Sequence, residues 1–139
     1  MRIRAFQLAD ETAVVALWER CGLTRTWNDP RKDIARKLAV QPELFLVAEA
    51  DGAVVATVMA GYEGHRGWVN YLAVAPEHRG QGLGRALMQR VEESLKDRGC
   101  PKLNVQVRTA NAEALQFYRR LGYAQDEAVA LGKRLIPDA

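Results

Sequence analysis

Three glycines and two arginines stand against the start of a helical pattern in the stretch RGQGLGRALM, Arg79 to Met88. Glycine accepts backbone angles that other residues avoid, so one reading is an ordinary turn with solvated arginines. The other reading is an anion site. A strand ending at Pro76, then a basic glycine loop, then a helix would aim the free N–H groups and positive dipole end of that helix at one point. Gly80, Gly82 and Gly84 would let a diphosphate approach the backbone, and Arg79 and Arg85 would supply the opposite charge.

The spacing excludes the two commonest phosphate motifs. A dinucleotide fingerprint starting at Gly80 needs glycine where Arg85 stands, and one starting at Gly82 needs it where Leu87 stands. A P-loop needs Gly-Lys-Ser/Thr and fails at the same place.

The elements that must position this loop are legible from periodicity. The chain has 139 residues and is 48% hydrophobic, enough for one domain over 1–139 with an ordinary core. Met1 to Phe6 alternates like a strand, and Asp10 is placed to cap a helix carrying Val14, Leu17, Trp18 and Cys21, which Gly22 closes. Asn28 or Asp29 caps a short helix with Pro30 at its start. Asp51-Gly52 separates two apolar runs, predicting a hairpin of Leu44 to Ala50 and Ala53 to Tyr62. WVNYLAV is a further strand, Leu83 to Arg98 a helix, LNVQVR a strand, and Asn111 caps a helix reaching Leu121. A last hairpin is expected near Tyr123 and from Val129 to Leu135. The order β-α-α-β-β-β-α-β-α-β-β makes an α/β fold with a mixed, largely antiparallel central sheet.

Composition narrows the function classes. Cys21 and Cys100 form no Cys-x-x-Cys pair, so no metal site is indicated. No signal-like leader or long apolar run occurs, and a cytoplasmic protein without membrane contact is expected. The net charge of +3 is mildly basic, but aromatic residues are not interleaved with the Lys and Arg residues, which argues against nucleic acid as partner.

Arg79-Gly80-Gln81-Gly82-Leu83-Gly84 resembles the coenzyme A pyrophosphate loop of the GNAT superfamily of N-acetyltransferases, Arg/Gln-x-x-Gly-x-Gly/Ala. Asn111 to Tyr118, followed by Leu121-Gly122-Tyr123, resembles that family's Asn-x-x-Ala-x-x-x-Tyr-x-x-x-Gly-Phe/Tyr segment. The strings WNDP and GYEGHRG resemble a bacterial branch of such acetyltransferases. The resemblance implies a GNAT-like sheet with helices on both faces, acetyl-CoA as co-substrate without a metal, an amine acceptor that is a small molecule or peptide, and a homodimer as a common assembly. It implies that the backbone of Leu72, Ala73 and Val74 is freed at a β-bulge to bind the pantetheine arm and the acetyl carbonyl. Asn111 would contact the coenzyme from the far side, and Tyr118 would stand near the sulfur.

The phenol of Tyr118 is then a candidate general acid, with core packing against Leu115 and Leu121 as the alternative. The base is less determined. Relatives that acetylate ribosomal protein N-termini carry glutamate where Gln106 stands, and an amide is no useful base. Glu63 is the preferred substitute, ahead of His65, Glu77, His78 or a water relayed by a backbone carbonyl; Trp27 and Trp68 are candidates to line the acceptor cleft. A catalytically idle acyl-CoA-binding module is the alternative to an enzyme.

Overall fold

Apolar residues, continuous in two runs and alternating in two, build four strands before Pro76, and the structure, a computed structural model describing residues 1–138, joins them into one sheet. β1 (Arg2–Ala5), β2 (Phe45–Ala50), β3 (Ala53–Tyr62) and β4 (Gly67–Val74) are antiparallel neighbours in that order, and β5 (Leu103–Val105) adds to β4 in parallel. The β2–β3 hairpin has the expected bounds at its tight turn, where Asp51 (φ 52°) and Gly52 (φ 79°) both take the left-handed angles such a turn requires.

Helices α1 (Glu11–Arg20), α2 (Pro30–Leu38), α3 (Leu83–Asp97) and α4 (Ala112–Arg120) cover the two faces. Two glycines mark the sides. A Cβ on Gly61 would face Lys37 of α2, and one on Gly67 would meet Leu95 of α3 at 2.8 Å. Gly67 pairs with Tyr62, the neighbour of Gly61, so strand alternation puts α2 and α3 on opposite faces. Between them β3 is buried on both sides from Val55 to Ala60. Lys37 reaches across to the Ala60 carbonyl at 2.5 Å, and burial lowers the pKa of its amine.

Two sequence expectations need correction. Asp10 does not cap α1: its carboxylate accepts the Gln7 N–H at 2.8 Å and pairs with Arg4, pinning β1 to the helix entrance. Asp29, by contrast, does cap α2, accepting the Arg31 N–H at 2.9 Å. The second correction concerns the last hairpin. Among the described residues neither strand near Tyr123 nor Val129–Leu135 forms, and the chain after α4 has no regular structure. A strand needs a ladder partner, and β5 offers an edge of three residues only, while Gly132-Lys133-Arg134 interrupts the apolar run. Side-chain anchors fix the segment instead. Asp138 accepts from the Asp29 N–H and from Arg36, and Arg134 donates to Asn28, so this segment lies against the start of α2.

Candidate active site

The site begins with an irregularity in β4. Thr57 pairs with Ala73 but Met59 pairs with Asn70, so β4 carries one extra residue opposite Val58. Tyr71 absorbs it at φ 53°, a left-handed angle that a bulky residue adopts only when its surroundings hold it there. The holding network is long-range. Thr57 Oγ1 donates to the Tyr71 carbonyl at 2.8 Å and accepts from Trp18 Nε1 at 2.9 Å, while the Trp18 and Tyr71 rings stack at 3.7 Å. Tyr71 donates its hydroxyl to Asp33 at 2.7 Å, and Asn28 donates to the same hydroxyl at 3.1 Å. Burial and the Asp33 carboxylate raise the Tyr71 pKa well above that of a free phenol, so it remains a donor. Trp27-Asn28-Asp29-Pro30 thus supplies both the α2 cap and a clamp on the bulge.

Thr57→Val tests the network, because it strands the Trp18 indole N–H and the Tyr71 carbonyl at once. At about 1–3 kcal/mol for each unsatisfied buried group, the expected loss is about 2–6 kcal/mol by urea denaturation, with Thr57→Ser close to the parent.

Past the bulge the sheet splits. Pairing of β4 with β5 ends at Val69 and Val105, so the following residues of β4 have β3 on one edge and no strand on the other. Ala75 donates its N–H to Val55, and alternation therefore turns the N–H groups of Leu72 and Val74 toward the open edge, while Ala73 faces β3. The Val74 carbonyl is already taken by Arg79 Nε at 3.1 Å. Arg79 therefore braces the strand end, and its guanidinium is committed there as well as facing solvent.

The glycine loop divides into two functions. Gly80 (φ 78°) and Gly82 (φ 81°) hold left-handed backbone angles, and Gly82 is the N-cap residue of α3. Gly84 has an ordinary helical backbone, but a Cβ there would sit 3.1 Å from the Phe117 ring, so it permits α4 to lie close against α3. No side chain caps α3 and its first turn holds no acid, so the initial N–H groups have no intrahelical partner. Leu83 is buried as the anchor, whereas Gln81 and Arg85 are exposed. An exposed, acid-free helix start with nothing within 4 Å of a Cβ at Gly80 or Gly82 suits a diphosphate. Asn111 is the cap of α4, its Oδ1 accepting from the Ala114 N–H at 3.0 Å.

Tyr118 is buried beneath Phe117 and Tyr123, edge-on to each at 5.1 and 5.6 Å. Tyr118 lines a cleft of about 1490 Å³ shared with Trp68, Asn70 and residues 102–109. Burial raises its pKa to about 12, which keeps the phenol protonated at neutral pH.

The carboxylate expected as base is not brought here. Glu63 lies in the β3–β4 turn beside Gly67, and the register carries Gly67 to Leu72 along four residue steps of β3, Tyr62 to Val58, a distance of about 13 Å. Its carboxylate closes the turn, accepting from the His65 and Arg66 N–H groups, and those bonds lower its pKa. His65 is exposed in the same turn, so GYEGHRG is turn chemistry. Glu77 pairs with Arg20 at 2.5 Å, and His78 follows it in a short 3₁₀ turn. Gln106, in contrast, lines the cleft.

The sequence profile of the Acetyltransferase (GNAT) family matches residues 3–123. An acetyltransferase of Yersinia enterocolitica is 53% identical over 138 residues, covering 99% of this chain and 98% of its own length. An N-acetyltransferase of Yersinia pestis described as uncharacterized is 52% identical over the same share. Among solved structures, the ribosomal-protein-S18-alanine N-acetyltransferase of Escherichia coli superposes with TM-score 0.71 at 26% identity, over 87% of this chain and 76% of that one. An aminoglycoside 6′-N-acetyltransferase of Acinetobacter haemolyticus superposes with TM-score 0.76 at 19% identity, over 98% and 99%. The folds coincide, and the substrates named for these two neighbours differ.

Proposed function

Because the chain belongs to the GNAT acetyltransferase family, we propose that this acyltransferase moves an acetyl group from acetyl-CoA to a primary amine by direct attack within a ternary complex. The observation that carries the reading is the conjunction of the split beside Leu72 and Val74 with the acid-free helix start at Gly82. One offers strand N–H groups to a thioester arm. The other offers helix N–H groups to its diphosphate. Acetyl-CoA, when bound, supplies the activated acyl carbon: the C–N bond forms as the C–S bond breaks, and one proton lost by nitrogen balances the one gained by sulfur.

The chain's own groups have distinct tasks. The Leu72 and Val74 N–H groups donate toward the carbonyl oxygen, where negative charge develops. Tyr118 donates its hydroxyl toward the departing sulfur. With a pKa of about 12 this phenol holds its proton more tightly than a thiol of about 8.5, so its main contribution is a hydrogen bond that stabilises the thiolate. With Glu63 remote, the amine proton passes to water held by strand carbonyls, and much of the acceleration comes from holding the reactants together.

A pH profile follows. The rate should rise with pH as the acceptor's own ammonium loses its proton, without an ascending limb at about pH 4–6 from an enzyme carboxylate. Release of free coenzyme A from acetyl-CoA across a panel of peptides, amino acids, polyamines and aminoglycosides tests the reading. Amine-dependent release supports it; acetyl-CoA binding with no release under any amine would leave an acyl-CoA-binding module in its place.

A further inference from the structure

The face of the split sheet opposite α3 holds an uneven charge pattern. Gly67 and Val69 point to α3, so alternation turns Trp68 and Asn70 to the other side, and the parallel register places Asn104 beside Trp68. Gln106 and Arg108 continue that run as exposed side chains. Opposite them, Trp27 stands in a turn closed by the Asn28 N–H donating to Arg25 at 3.2 Å, and it remains 56% exposed. The Arg108 guanidinium lies 5.8 Å from the centre of the Trp27 ring, so this pair bridges the α1–α2 loop and the chain leaving β5, the two sides of the split.

The cations and carboxylates around this face are not equally committed. Asp33 is held by Tyr71, Asn28 and Arg36; Asp126 by Lys102; and Glu92 by Tyr123. Arg108 has no carboxylate partner among the described residues. A polycationic amine would need free carboxylates here, and a row of amides with one stacked guanidinium provides none. What fits is an anion for the guanidinium fork, with amide groups to orient the rest of the molecule.

We propose that the acceptor is a primary amine carrying a carboxylate, which Arg108 holds above Trp27 while the amine points into the split beside Leu72. This inference rests on the N-acetyltransferase reading, and its test separates the two. Glycine, alanine, aspartate and glutamate are compared as acceptors with their carboxamides, alongside spermidine and kanamycin, and acetyl-CoA binding is measured separately by calorimetry. Expected is at least a tenfold higher kcat/KM for acids than for amides. In Arg108→Gln that preference is lost through a raised KM, with kcat and acetyl-CoA affinity kept; Arg108→Lys recovers part of it. Equal use of the amides, preference for the polycations, transfer to an amide or polycation but to no acid, or an unchanged preference in Arg108→Gln overturns the acceptor assignment alone. Failure to bind acetyl-CoA overturns the parent reading and this one together.

Discussion

Gly82→Glu should abolish acetyl-CoA binding, raising Kd at least 100-fold by calorimetry, in a protein that still folds. Gly82 sits at φ 81° as the N-cap of α3, and any residue with a Cβ incurs about 1 kcal/mol of strain there. Nothing lies within 4 Å of that Cβ, so the new side chain has room. A carboxylate at a helix start is moreover favoured by the dipole, which offsets part of the strain. The damage is therefore local: a fixed negative charge occupies the place where N–H groups would receive a diphosphate. Gly82→Ala separates strain from charge, and should weaken binding by no more than about tenfold. Undiminished affinity in Gly82→Glu would show that the helix start is not the diphosphate site. Gly84→Glu would be a poorer probe, since that position packs on Phe117 and its loss would report on the α3–α4 contact.

Tyr118→Phe should lower the rate of transfer about 100-fold while leaving acetyl-CoA affinity within about twofold of the parent. Removing one donor from a developing charge costs roughly this much in other enzymes. The ring itself stays, so its edge-on contacts with Phe117 and Tyr123 persist. Stability at neutral pH should hardly change. At high pH the variant should be the more resistant. The parent's folded-state pKa is raised from 10.0 to about 12 by burial, so the stability tied to the neutral phenol is intact below about pH 10 and is lost as pH rises toward 12. Phenylalanine has no such titration. An unchanged transfer rate would remove Tyr118 from the chemistry and leave it a core residue.

The loss of Glu63 as base shows where reading by residue type stops. Acid, turn and strand end are all visible near position 63, yet reach is measured along a strand, and about 13 Å separates that turn from the bulge. The same limit applies to Arg79. Its charge suggested a phosphate partner, but a neighbouring carbonyl, that of Val74, lies within 3.1 Å and holds it. Asn111 was placed at the right helix start, and capping that helix occupies its side-chain oxygen.

The bulge network went unseen for a different reason. Thr57, Trp18, Tyr71, Asn28 and Asp33 have no common spacing, and three of the bonds joining them span 38, 39 and 43 residues. Trp27-Asn28-Asp29-Pro30 reads locally as a helix start, and only the fold brings Asn28 to the Tyr71 hydroxyl. An uninterrupted apolar strand from Ala53 to Tyr62 with one threonine in it was the available hint, since a buried hydroxyl needs partners.

Local chemistry let the sequence by itself determine the hairpin at Asp51-Gly52, the Pro30 helix start, the amphipathic α3 and the glycine loop before it, because each depends on backbone angles and periodicity within a few residues. The motif pair at Arg79 and Asn111 carried the family for the same reason. Tertiary structure decided what needs two distant segments to meet: the extra residue in β4, the opening between β4 and β5, and the burial of Tyr118. It also decided that the last 15 described residues, 124–138, follow side-chain anchors to Arg36 and Asn28 in place of a ladder. A strand is made by its partner as much as by its own residues, and β5 was too short to serve as one.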